Sequence, residues 1–227
     1  MAAGGTAARQ YRRIATEEAW ISAELLALYQ KMLKEGSAGD PGFDSLWRHY
    51  GLGMSERCVA VRERMLDLGA RRIADMDAAG IDMQILLLTT PGVQLLDPET
   101  AIALAAASND QVSQAVQAHP DRFAALAAIA PQAPQAAAKE LERAVTRLKL
   151  KGAVINSHTR GEYLDDRKFW PIFEAAEALH VPIYVHPNTP PQDMIGPLLA
   201  RGLDGAIYGF AVECGMHSFD DHGERRV

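Results

Sequence analysis

Five short apolar runs recur along the chain with longer helical patterns between them, and this alternation limits the possible folds more than any other feature. RRIATEE (12–18), MQILLLT (83–89), RFAALAAIA (122–130), GAVINS (152–157) and PIYVH (182–186) are apolar on both faces, as strands covered on both sides must be. Between them, 97–119 carries Ile102, Leu104, Ala105 and Val112 at helical spacing, and 134–148 repeats the pattern with Ala137, Leu141, Val145 and Leu148. In 165–180 the same period turns Trp170, Ile172, Phe173 and Ala176 inward, with Pro171 tolerated near the first turn. A repeated βα unit predicts a parallel sheet, either an open doubly wound sheet or a (β/α)8 barrel. No G-x-G-x-x-G follows the first run, which counts against a dinucleotide-binding sheet.

The segment 20–80 breaks the rhythm. Helix-like ISAELLALYQKML leads into polar, glycine-bearing KEGSAGDPGFDSLWRHYGLGMS, and then ERCVAVRERMLDLGARRIADMDAAG reads as one long helical stretch closing on Gly80. An insertion of that length after a first strand is uncommon unless it is functional. Residues 1–13 read as a flexible leader. Two acids follow where a signal peptide needs its apolar stretch, and no run approaches the ~20 apolar residues of a membrane span. With 29 acidic against 23 basic side chains, net charge −6, nucleic acid is not an expected partner. Cys58 and Cys214 form neither a C-x-x-C nor a disulfide framework, so the expected compartment is cytoplasmic.

In a barrel, reactive groups sit at the carboxyl ends of strands. The polar residues expected there are Glu17 and Glu18 at the end of the first run, Thr89 and Thr90 at the end of the second, Asn156, Ser157 and His158 at the end of the fourth, and His186 at the end of the fifth. A lone histidine after a strand is more often a structural hydrogen-bonder than a ligand; paired with a carboxylate on strand one, the metal reading gains, because a neutral imidazole and a carboxylate suit manganese or zinc. Glu17 and Glu18 must point to opposite faces of a strand, so only one can serve. Thr89 and Thr90 are as compatible with turn caps as with substrate contacts. Asn156 and His158 share a face by period two and are candidates to line the pocket. Trp47, Tyr50 and Arg57 lie in the insertion, which reads as a surface loop or a substrate lid; Arg57 would be a natural partner for a substrate carboxylate.

IATEEAW, RRIADMDAAGIDMQILLLTTPGVQ, ASNDQVSQAVQAHPDRFAALAAIAPQ, GAVINSHTRGEYLDD, PIYVHPNTP and GLDGAIYGFAVECGMH together resemble the aromatic-acid decarboxylase branch of the amidohydrolase superfamily, over about 14–217, and most of all its carboxyvanillate type. The resemblance implies an α/β fold, an amidohydrolase-type (β/α)8 TIM barrel of which this chain holds about five of eight βα units. It further implies a metal-dependent, non-oxidative decarboxylase of a hydroxylated aromatic carboxylic acid, with Glu17 and His186 as metal ligands and manganese expected over zinc. Arg57 and Tyr50 would bind the substrate carboxylate and ring, and Thr90 and His158 would occupy pocket-facing positions. The full-length form is expected to be a homo-oligomer, with a small aromatic carboxylate as its partner and neither nucleic acid nor membrane.

The chain departs from that pattern late. The family's histidine–glutamate motif and its late aspartate, a metal ligand and the expected proton donor, are absent, and SFDDHGERRV (218–227) is polar and without helical period. A one-base shift of frame after His217 can restore an apolar segment ending in G-V-F, which would make Asp220, Asp221 and His222 incidental. The 227-residue chain is therefore expected to be inactive by itself. A non-catalytic barrel fragment is the alternative of a different class. An amidohydrolase-type hydrolase is a third possibility, disfavoured because it would place a histidine at Ala19.

Overall fold

The computed structural model describes residues 11–223, with side chains as far as Ser218. Most of the expected leader, and the side chains of Asp220, Asp221 and His222, lie outside the described residues. From Arg12 onward the chain is tied down. The Arg13 N–H donates to Asp82 Oδ2 (2.6 Å), and Arg12 donates to the Asp121 carbonyl (3.2 Å).

The strands are β1 (Ile14–Trp20), β2 (Met83–Leu88), β3 (Phe123–Ala125), β4 (Ala127–Ala128), β5 (Ala153–Ile155) and β6 (Ile183–Val185). They form two parallel sheets in sequence order, β1-β2-β3 and β4-β5-β6. The expected third strand, 122–130, is where one sheet passes to the other. Its first half pairs with β2 (Leu86↔Ala125) and its second with β5 (Ala127↔Ala153). The handover falls at Leu126, whose N–H donates to Leu86 O (2.9 Å) while the next N–H, of Ala127, donates to Gly152 O (2.8 Å). The five expected strands thus lie in a single parallel arc, part of a barrel wall.

Nine helices accompany them among the described residues: α1 (Ala23–Glu35), α2 (Pro41–Leu52), α3 (Glu56–Leu66), α4 (Ala70–Ala79), α5 (Pro98–Ala118), α6 (Pro134–Thr146), α7 (Trp170–Leu179), α8 (Gln192–Leu199) and α9 (Gly209–Gly223). Strand alternation sorts the core. Leu86, Leu88, Phe123 and Ala125 join Leu104, Ala105 and Val112 of α5 in the large outer cluster, and Ala153 and Ile155 join Ala137, Leu141, Ile172 and Ala176 of α6 and α7 in a second. The opposite face of the same strands, Ile85, Leu87, Leu126, Val154 and Tyr184, forms a small separate cluster on the inside of the arc. Asn109 of α5 secures the handover: its side-chain amide takes both the N–H and the C=O of Ala128, each at 2.8 Å.

The structure corrects the sequence reading in several places. The stretch 34–55 is not a loop but contains α2: Asp40 Oδ1 accepts from the Phe43 N–H (2.7 Å), Pro41 occupies the first turn, and Phe43 and Trp47 are buried on one face. The long helix over 56–80 is two, broken where Asp67 Oδ1 accepts from the N–H groups of Gly69 (2.9 Å) and Arg72 (3.1 Å). Trp170 and Phe173 face outward, 48% and 36% exposed. A 3-10 turn at Arg167–Phe169 buries Phe169 in their stead, and the Arg167 guanidinium covers the Trp170 ring at 5.3 Å. Ile102 is likewise exposed. The helix α9 runs past His217 into the polar tail, since extending an established helix costs far less than starting one. No described helix is long and apolar enough to cross a membrane.

Candidate functional site

β1 continues through Trp20, which pairs with Leu88, so Glu17 and Glu18 lie within the strand and not at its end. The register slips between Ala15 and Glu18, and an extra residue in a strand re-aims its side chains. The two acids diverge as alternation requires. Glu18 turns to the helical side, where Gln84 Nε2 donates to it (2.8 Å) and the buried guanidinium of Arg72 donates in turn to Gln84 (3.2 Å). Burial raises the Glu18 pKa, opposed by Arg72.

Glu17 turns to the inside of the arc. Its Oε1 lies 3.1 Å from His186 Nε2 and its Oε2 accepts from the Tyr184 hydroxyl at 2.7 Å. His186 follows β6, its backbone N–H held by Ile155 O (2.8 Å), and its side chain is 9% exposed against 50% for Glu17. Burial lowers the His186 pKa despite the attraction of Glu17. The contact is therefore a neutral imidazole donating to a carboxylate, and Nδ1 is left buried with no hydrogen-bond partner. The Tyr184 phenol is pushed up to about 12 by burial and then by Glu17, so it stays a donor.

Beside this pair opens a cavity of about 600 Å³ lined by His186, Thr89, Thr90, Tyr50, Arg57 and the segment 202–210 among others. The insertion builds its far wall and is packed, not loose. Trp47 Nε1 donates to Thr90 O (3.1 Å), the Tyr29 hydroxyl donates to Gly92 O, and Tyr29 meets the rings of Phe43 and Trp47 edge-on at 5.0 and 4.7 Å. Trp47 is thus a buried anchor and not a lid residue. Arg57 is exposed and has no hydrogen-bond or ion-pair partner among the described residues, while leucine, valine, methionine and phenylalanine side chains (Leu46, Val61, Met65, Phe210) supply apolar wall. Thr90 Oγ1 is held by Asn188 Oδ1 (3.1 Å).

Of the six residues given roles by the resemblance, the structure brings Tyr50, Arg57, Thr90 and His186 to one cavity, with Glu17 on His186. It separates His158 from them. The His158 ring is buried against Thr189 O (2.9 Å, from Nε2) and the Gly161 N–H (3.1 Å, to Nδ1), and it borders a different, polar cavity beside Asp40 and Asp193. With both ring nitrogens engaged and burial lowering its pKa, His158 braces the loop after β5. Gln94 braces the same loop, accepting from the Asn156 N–H (2.6 Å) and donating to His158 O (3.1 Å) and Thr159 Oγ1 (2.9 Å).

The sequence reading passed over Tyr184, Asn188, buried Asp204 in the cavity wall, and the anchor of α9. In that anchor His217 Nε2 accepts from the Leu164 N–H (3.2 Å), leaving Nδ1 to donate to Ser157 Oγ (2.8 Å), which donates to Glu213 Oε1 (2.5 Å). The serine lies between imidazole and carboxylate, and all three are buried, so the chain fixes a helix and offers no nucleophile. Tyr184 alone had a signal: it shares His186's face by period two.

The family model for amidohydrolases matches residues 59–215, and the chain belongs to that family. A 5-carboxyvanillate decarboxylase from Novosphingobium aromaticivorans, solved with manganese and 3-methoxy-4-hydroxy-5-nitrobenzoic acid, is 50% identical with a TM-score of 0.90, over 92% of this chain and 60% of its own. The 5-carboxyvanillate decarboxylase of Sphingomonas paucimobilis is 38% identical, TM-score 0.85, over 92% and 62%. A gamma-resorcylate decarboxylase from Polaromonas is 35% identical over 184 residues, 74% of this chain and 56% of its own. The arc is part of an amidohydrolase-type (β/α)8 barrel, and the chain spans a little over half the length of these relatives.

Proposed function

We propose that this chain carries the substrate-binding half of a metal-dependent, non-oxidative decarboxylase acting on a hydroxylated aromatic acid of the 5-carboxyvanillate kind, working in the cytoplasm. The observation that carries the reading is the Glu17–His186 pair, 3.1 Å apart, on the edge of a cavity that presents an unpartnered Arg57. Glu17 Oε1 and the neutral His186 imidazole, which faces it through Nε2 at 3.1 Å, are a donor pair that fits a divalent ion, manganese over zinc given the solved relatives. Bound there, such an ion supplies positive charge beside the substrate's carboxylate and phenolic oxygen.

The protein's own groups do the rest of the binding. The apolar wall covers the ring, Tyr50 borders it, and the Arg57 guanidinium at the cavity mouth pairs with a substrate carboxylate. Thr90, fixed by Asn188, offers a hydroxyl at the cavity floor. Among the described residues no third His, Cys, Asp or Glu joins Glu17 and His186, so the 227-residue chain by itself is expected to bind but not turn over.

The test is carbon dioxide release from 5-carboxyvanillate with manganese. The chain alone is compared with a chimaera extended beyond His217 by the corresponding C-terminal part of the Novosphingobium enzyme. Turnover by the chimaera, lost on Glu17→Gln, supports the proposal. Turnover that survives both Glu17→Gln and His186→Ala refutes it.

A further inference from the structure

We infer that Tyr184 is a positioning residue for the metal site, holding the Glu17 carboxylate in one orientation so that a single oxygen is presented on the His186 side. This deepens the proposed function and rests on the reading of Glu17 and His186 as ligands. Glu17 has little else to hold it. Its side chain is half exposed and springs from the irregular stretch of β1, so the three rotatable bonds of a glutamate remain to be fixed. The two oxygens have different partners, Oε2 the Tyr184 hydroxyl at 2.7 Å and Oε1 the His186 ring at 3.1 Å.

Tyr184 is itself well placed to act as a fixed post. It lies on β6, paired with Val154 of β5, and its ring packs on the inner cluster with Ile85, Leu87, Leu126 and Val154. The hydroxyl therefore stands at a set height above the arc's inner floor, two residues before His186 on the same face of the strand. A donor that orders a ligand carboxylate removes the rotamer freedom that metal binding would otherwise have to remove. Loss of such supporting contacts typically weakens metal affinity by about ten- to hundredfold.

The experiment measures Mn2+ affinity from the electron paramagnetic resonance signal of the free ion, using the 227-residue chain and its Tyr184→Phe and Glu17→Gln variants. Thermal unfolding of each metal-free protein is recorded alongside. The expected result is a dissociation constant raised roughly ten- to hundredfold in Tyr184→Phe, an unfolding midpoint close to wild type, and binding lost in Glu17→Gln. Tyr184→Phe binding as tightly as wild type, with Glu17→Gln deficient, overturns the role of Tyr184 and leaves the metal site standing. Wild type failing to bind, or binding no better than Glu17→Gln, overturns the metal reading and this inference together. A large fall in metal-free stability with unchanged affinity assigns Tyr184 a structural role only and also overturns the inference.

Discussion

Asn109→Ala should be among the most damaging polar substitutions outside the candidate site. Asn109 is 1% exposed, and its amide satisfies both main-chain groups of Ala128, just after the strand leaves β2 for β5. Alanine removes both partners, and helical packing keeps water out. Each buried group left unpaired costs about 1–3 kcal/mol, so a loss of roughly 2–5 kcal/mol is expected, or an unfolding midpoint lower by about 5–15 °C for a chain of this size. Asn109→Asp retains an acceptor for the Ala128 N–H but sets a carboxylate against Ala128 O and against Glu140, which now accepts from Asn109 at 2.7 Å; it should be no better than alanine. Ser113→Ala, on the same helix, loses the bond to Leu148 O (3.0 Å) and the one its hydroxyl accepts from Gln117 Nε2 (3.0 Å), and serves as the smaller control at about 1–2 kcal/mol. Thermal melts by circular dichroism and urea titrations would measure all three. An Asn109→Ala midpoint within about a degree of wild type, or a smaller effect than Ser113→Ala, refutes the claim that this amide secures the handover between sheets.

Three further outcomes concern the cavity, the anchor of α9 and the packing of α2. Arg57→Ala should weaken binding of a hydroxylated aromatic acid by about 1.5–3 kcal/mol, roughly ten- to hundredfold, with stability unchanged because Arg57 is exposed and unpaired; calorimetric titration with equal affinity for both proteins contradicts it. Glu213, pushed up to about 7 by burial, holds its proton more tightly folded than unfolded, so its contribution is complete below the ordinary value of 4.5 and is lost as pH rises through about 7. Urea midpoints should fall between about pH 5 and about pH 8 in wild type and flatten in Glu213→Gln; identical slopes would contradict this. Trp47→Phe removes the donor to Thr90 O and should cost about 1–2 kcal/mol in urea titrations, whereas an unchanged midpoint would show that α2 does not depend on that bond.

The wall of the barrel was legible because its strands are apolar on both faces, a pattern that survives even where Leu126 splits one run between two sheets. The insertion was less so. Glycines at 39, 42, 51 and 53 masked α2, although Asp40-Pro41 is a helix-start signal and Phe43 and Trp47 lie four apart. Alternation correctly forced Glu17 and Glu18 apart, yet the register slip that aims Glu17 at His186 has no local signature. The placement of His158 depends on Thr189, 31 residues on, and pairings at that range are set by how loops close over the strand ends. The burial of Glu213 and His217 follows from Ser157 and Leu164 for the same reason.

Glu17, His186 and Arg57 are proposed to form one site for a metal and an aromatic acid. A crystal structure of the chain soaked with manganese and 3-methoxy-4-hydroxy-5-nitrobenzoic acid, with anomalous data for the metal, tests it directly. The expected result is an anomalous peak bounded by Glu17 and His186, with the ring inside the cavity and its carboxylate on Arg57. Manganese elsewhere, or the acid seated in the polar cavity beside Asp40 and His158, would contradict it.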